Sequence, residues 1–193
     1  ATAPCAARMG TSVLAGFQAV NSSWNFAMNM LDSVGIAGQT LVSTALGAGS
    51  VSRARQLTRA TGRAGLGTGA IIGVVFAIVG LFAGHLSSPT PHVQILIAIG
   101  MVTMGVFFPL QGWMMAIDGI LIGARDYRYL AGTCTLTAVV YIALILVLAS
   151  IVTPIMPNDL SRTAMLWAAF NVVLMGGRGL FNGLRVRSDV WMK

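Results

Sequence analysis

The chain has 193 residues, 56% of them hydrophobic and only 9% charged, where a soluble domain carries about 25% charged residues. That composition excludes an ordinary soluble domain and indicates an integral membrane protein. Twelve Lys and Arg against five acidic residues give a net charge of +7. The basic residues follow the ends of apolar segments, so the excess reports membrane topology and no nucleic-acid partner is expected.

Residues 1–10 lack the basic start and apolar run of a signal peptide. They are expected to finish a preceding helix, with an N-terminal half outside this sequence. The first full span, 12–46, carries Gln18, Asn21, Asn25, Asn29, Asp32 and Gln39. On a helix these six occupy an arc of roughly 80°, with Phe17, Val20, Trp24, Phe26 and Leu31 around the remainder. An unsatisfied amide or carboxylate in hydrocarbon costs several kcal/mol, so such a stripe is expected to face water, protein or cargo. The amides Asn21, Asn25 and Asn29 suit a cavity wall, because an uncharged donor and acceptor tolerates varied cargo; bonding between helices is the equal alternative. Asp32, a lone carboxylate in that helix, is a possible proton or cation site; the alternative is an acceptor for a Ser, Thr or backbone group of a neighbouring helix.

Four more apolar spans follow at 64–84, 93–124, 130–152 and 163–184, each long enough for roughly 30 Å of hydrocarbon, with 185–193 as a tail. Gly65, Gly69 and Gly73, continued by Gly80 and Gly84, predict a face packed closely against a neighbour. Pro109 removes a hydrogen bond inside the third span and predicts a bend there. Around it Phe107, Phe108, Trp113, Met114 and Met115 suit flat lipophilic cations, or equally lipid-facing bulk. Asp118, Arg125, Asp126 and Arg128 are expected to interlock as charge pairs at a gate or loop, and Arg178 to snorkel without a function of its own. Cys5 and Cys134 are expected to be inert rather than bridged.

Arginines fill the connection 52–63, the turn 125–128 and the tail, whereas the connections 85–92 and 153–162 hold one Arg and two His. The positive-inside rule therefore places the basic side in the cytoplasm of a multi-pass protein of the cell inner (plasma) membrane. His85 and His92 on the other side are weak candidates for pH sensing.

Two runs, DSVGIAGQTLVSTALGAG at 32–49 and PLQGWMMAIDGILIGARD at 109–126, resemble the multidrug and toxic compound extrusion (MATE) family. The first is similar to its eighth helix and the following turn. The second is similar to its tenth helix, ending in the pattern of Asp118, Gly119, Gly123 and Asp126; the wording is nearest the DNA-damage-inducible branch. The resemblance implies an all-α membrane protein, with five full transmembrane helices plus the end of a sixth forming the C-terminal lobe of a twelve-helix transporter. It implies a cation-coupled antiporter, driven by H+ or Na+, with no other cofactor, no metal and a small drug-like substrate. The partners implied are the lipid bilayer and the absent N-terminal lobe. One branch of the family holds a cation on a carboxylate of the tenth helix; that position falls near Gln111 here, so the sodium site is not carried over, and Gln111 joins Met115 among the cavity residues.

An enzyme is not expected. The run from Asp118-Gly119 to Ala124-Arg125 resembles the opening of the membrane phosphatidyltransferase motif, but is two residues too long, and 130–152 contains no further aspartate. A lipid-linked-precursor flippase or a non-transporting membrane scaffold are the remaining alternatives. A polyanionic head group would call for arginines, of which the striped helix has none, while a scaffold would require the stripe to be satisfied inside the bundle.

Overall fold

Helices make up all the regular structure in the computed structural model, which describes residues 2–9, 11–82, 89–152, 156, 158–188 and 190–192. They are α1 (Thr2–Met9), α2 (Thr11–Gly47), α3 (Val51–Phe82), α4 (Pro91–Gly123), α5 (Tyr127–Val147, continued by a π turn, Leu148–Val152), α6 (Asp159–Ala169) and α7 (Gly177–Arg187). A π segment, Phe170–Gly176, joins α6 to α7, and a 3-10 turn, Val190–Met192, follows α7. The expected all-α membrane class holds, with a different count of spans. Among the described residues, four helices are long and apolar enough to cross a membrane: α3, α4, Tyr127–Ile151 and the continuous run Asp159–Arg187. At 37 residues α2 has the length, but its polar stripe dilutes it below the apolarity of the other four.

The tight turns explain why helices begin earlier than the apolar runs. Gly49 adopts φ 72°, its N–H bonds to Leu46 O at 2.9 Å and that of Ser50 to Ala45 O at 3.0 Å. This paired closure ends α2 within three residues, and α3 can start at Val51. The basic segment 52–63, expected as a connection, is consequently the first three turns of α3. The second turn repeats the device with Arg125 at φ 61°, Arg125 N–H to Ile122 O at 3.0 Å and Asp126 N–H to Leu121 O at 3.0 Å. A side chain in that conformation is uncommon, and it frees α5 to begin at Tyr127.

Glycines then bring α2, α3 and α4 into close contact, as the small-residue spacing predicts. A Cβ on Gly65 or Gly69 would collide with the carbonyls of Gly112 or Phe108, and one on Gly119 with the carbonyl of Gly35. Lipid is as apolar as leucine, so this close approach supplies dispersion contacts that water exclusion cannot. Gly84 lies outside the described residues. α4 runs as one helix through Pro109, and the carbonyl of Gly105, which Pro109 cannot bond, lies against Gly73.

Within the aromatic and methionine patch, Phe108 and Met114 are core, whereas Phe107, Trp113 and Met115 are half-buried. Phe108 and Met114 are fully buried, and Phe108 meets Phe76 edge-on at 4.7 Å. Phe17 stacks on Trp167 at 5.0 Å, while Trp24 and Tyr141 meet Phe170 edge-on. Cys134 is free and half-buried.

The charges divide between the two ends of the bundle. Arg185 reaches Asp126, and Arg55, Arg59 and Arg187 surround one cavity, so the basic ends of α3, α4 and α7 come together. At the other end His92 pairs with Asp159 at 3.1 Å, and Asp159 also faces Arg162 at 3.4 Å. His85 lies outside the described residues.

Candidate functional site

The polar stripe of α2 is on the outside of the bundle. The buried face of the helix is Val13, Phe17, Val20, Ala27, Leu31 and Val42, with Gly16, Gly35 and Gly38 at the contacts. The stripe is turned about 120° from that face, by 100° per residue. Gln18, Asn25, Asn29 and Asp32 are exposed, whereas Asn21 and Gln39 are half-buried at its edge. Phe26, 70% exposed, flanks it and Ile36, 56% exposed, lies within it, giving it an amphipathic character.

Among the described residues, the side-chain hydrogen bonds of Asn25 and Asn29 stay within α2. Asn25 Nδ2 donates to Asn21 O at 2.8 Å, and Asn29 Nδ2 donates to Asn25 O at 2.9 Å. Only the amide nitrogen can donate to a carbonyl, so the amide oxygens are the ends left for a visitor. Asp32 is exposed and accepts from no neighbouring helix among the described residues. Two amide oxygens and a carboxylate thus make one acceptor-rich strip.

Gln111 and Met115, placed by sequence with the stripe, sit elsewhere. Gln111 is fully buried: its Oε1 accepts from Trp24 Nε1 at 2.9 Å, and its Nε2 donates to Asn171 Oδ1 at 2.5 Å. Asn171 Nδ2 in turn donates to Trp167 O at 2.8 Å and faces Met104 Sδ at 2.9 Å. The π segment that contains Asn171 supplies this geometry, since its wider turn changes which side chains face α4. Met115 is half-buried against the core, with its carbonyl next to Gly35 of α2.

A second internal network surrounds Asp118. Asp118 Oδ2 pairs with Arg178 Nη2 at 2.6 Å, and its Oδ1 accepts from Asn182 Nδ2 at 2.6 Å. Asn182 Oδ1 accepts from Thr133 Oγ1 at 2.8 Å, which connects α4, α5 and α7. Asp126 pairs with Arg185 at 2.7 Å, and the same guanidinium lies 4.8 Å from the ring centre of Tyr129. The expected interlock with Arg125 and Arg128 is therefore corrected: both are exposed, and the aspartates take partners from α7 instead. The reason is rotational, since Arg125 occupies the turn and Arg128 the outer face of α5. Arg178 does not snorkel idly, being the counter-ion of the most buried acid among the described residues, Asp118.

Sequence reasoning missed Trp24, Asn171, Arg178 and Asn182. The signal available was a lone amide or guanidinium in an otherwise apolar helix, which requires an internal partner. Among the described residues no three His, Cys, Asp or Glu side chains converge on a point where a metal could sit.

Comparisons with known proteins agree on one family. The MatE family model matches residues 3–147. Protein DETOXIFICATION 42 of Arabidopsis thaliana is 29% identical over 153 residues, 77% of this chain and 29% of its own length. Protein DETOXIFICATION 43 of the same plant is 25% identical over 147 residues, 76% of this chain and 28% of its own length. The chain thus spans under a third of the relatives it matches. No solved structure matches it.

Proposed function

This chain belongs to the MATE family, and from that premise we propose that it is the C-terminal lobe of a cation-coupled multidrug antiporter of the inner (plasma) membrane. It would export lipophilic, mainly neutral or cationic compounds by alternating access, with H+ or Na+ as the coupling ion. The DNA-damage-inducible branch belongs to the same reading, as does a cytoplasmic position for the basic end. The observation that carries it is the stripe of α2, which is exposed to whatever faces this bundle although it runs along a helix of membrane-spanning length. A scaffold would instead bury and satisfy those groups. The stripe's only charge is Asp32, so a basic or neutral guest is favoured over a polyanionic head group. Cargo would meet Gln18, Asn25 and Asn29 against a second lobe, with Asp32 as the site that exchanges cargo for the coupling ion.

The test is efflux of a fluorescent lipophilic cation from vesicles carrying this chain, with and without a co-expressed N-terminal lobe, under an imposed proton or sodium gradient. Transport is expected only with both parts, and the gradient that drives it names the ion. Transport by this chain alone would overturn the half-transporter reading, and failure with both parts would favour the scaffold.

A further inference from the structure

We infer that the basic end of the bundle holds an anionic phospholipid in a built site between α3 and α7. Three adjoining cavities form it. The outermost, about 540 Å³, is lined by Arg55, Thr58, Arg59, Val186, Arg187 and Trp191. The next, about 270 Å³, shares Thr58, Arg59, Val186 and Arg187, adds Arg63, and reaches Leu66 and Trp113. The third, about 280 Å³, shares Trp113, Gly183 and Arg187 and continues along Leu110, Leu180 and Leu184. Arg187 lines all three, at the junction between a cationic mouth and an apolar channel.

The chemistry of the lining identifies the guest. Arg55, Arg59 and Arg63 recur every fourth residue, so they share one face of α3, and Arg187 closes the mouth from α7. Among the described residues, no acidic residue lines any of the three cavities. Guanidinium forks match phosphate oxygens in geometry and charge, and basic pockets between membrane helices bind phospholipid head groups. Trp191 makes a fixed wall: it is buried, and its indole N–H is committed to Val186 O at 2.9 Å. Beyond the arginines the channel descends into apolar surface opened by Gly183, where a Cβ would press on Trp113. A free phosphate would use only the mouth. An amphiphile with an anionic head and an acyl chain fits both parts, and the site does not depend on the transport reading.

The experiment is native mass spectrometry of the full chain released from micelles doped with phosphatidylglycerol or phosphatidylcholine. Retention of phosphatidylglycerol is expected to exceed that of phosphatidylcholine, and R59Q and R187Q should each lower the excess about fivefold. R53Q removes the same charge from the same helix but lines none of the three cavities, so the excess should persist. These arginines are exposed, and an unchanged thermal melt establishes that each variant is folded. Equal retention of the two lipids, or an R53Q effect as large as that of R59Q, overturns the site. Displacement of phosphatidylglycerol by millimolar glycerol phosphate would show a soluble phosphate site and overturn the lipid assignment.

Discussion

The polar groups of α2 and those of α4 are both carried on helices of membrane-spanning length, yet they are treated oppositely by the bundle. Gln111 and Asp118 are buried, and each is held by side chains from other helices. Asn25 and Asn29 are exposed and bonded only to their own helix. The difference separates polar residues that join this bundle from polar residues it offers to something else. Strong interhelical pairing is the mark of the first group, and its absence is the mark of the second.

Removing one partner of the buried ion pair should separate the two regions most widely. R178M strands Asp118, which is 3% exposed, and is expected to cost about 3–5 kcal/mol in thermal or denaturant unfolding in detergent. D118N/R178M should recover much of that loss, because the uncompensated charge is gone; no recovery would mean that the pair is not what holds α4 to α7. In the other internal network, N171L leaves Gln111 Nε2 without its acceptor and should cost about 1–2 kcal/mol. W24F removes the indole donor to Gln111 together with part of the ring that meets Phe170, and should cost about 1 kcal/mol. A double-mutant cycle of W24F with N171L should show coupling, since both act through Gln111; strict additivity would break the picture of one connected network. At the far end of the scale, N25A/N29A should alter stability by about 0.5 kcal/mol or less. The same variant should lower efflux of a lipophilic cation in the two-part vesicle assay, and a large stability loss with intact efflux would place these amides with the internal group.

Much of the fold was legible because it follows from one-dimensional pattern. Gly65, Gly69 and Gly73 of α3 recur every four residues within an apolar run of helical length, which aligns them on one helix face, and that face is where α4 packs. The candidate site was half legible. Periodicity found the stripe of α2, since a polar arc on a helix is a property of that helix alone. It could not show that Gln111 faces Trp24 and Asn171, which lie 87 and 60 residues away in the chain. Nor could it choose α7 over the adjacent arginines as the source of counter-ions for Asp118 and Asp126. Nearness in sequence favoured Arg125 and Arg128, whereas a turn and an outer helix face aim both away.

By itself the sequence determined the membrane class, the glycine contact face, the polar stripe and the concentration of arginine in certain segments. Each of these is set by composition or by the repeat of a single helix. The tertiary structure alone decided which polar groups are satisfied within the bundle and which are presented, that Phe108 and Met114 of the methionine and aromatic patch are core, and that arginines from α3 and α7 meet around one cavity. Those outcomes depend on how helices distant in the chain are rotated against one another, and a helix's own periodicity does not encode the rotation of its neighbours.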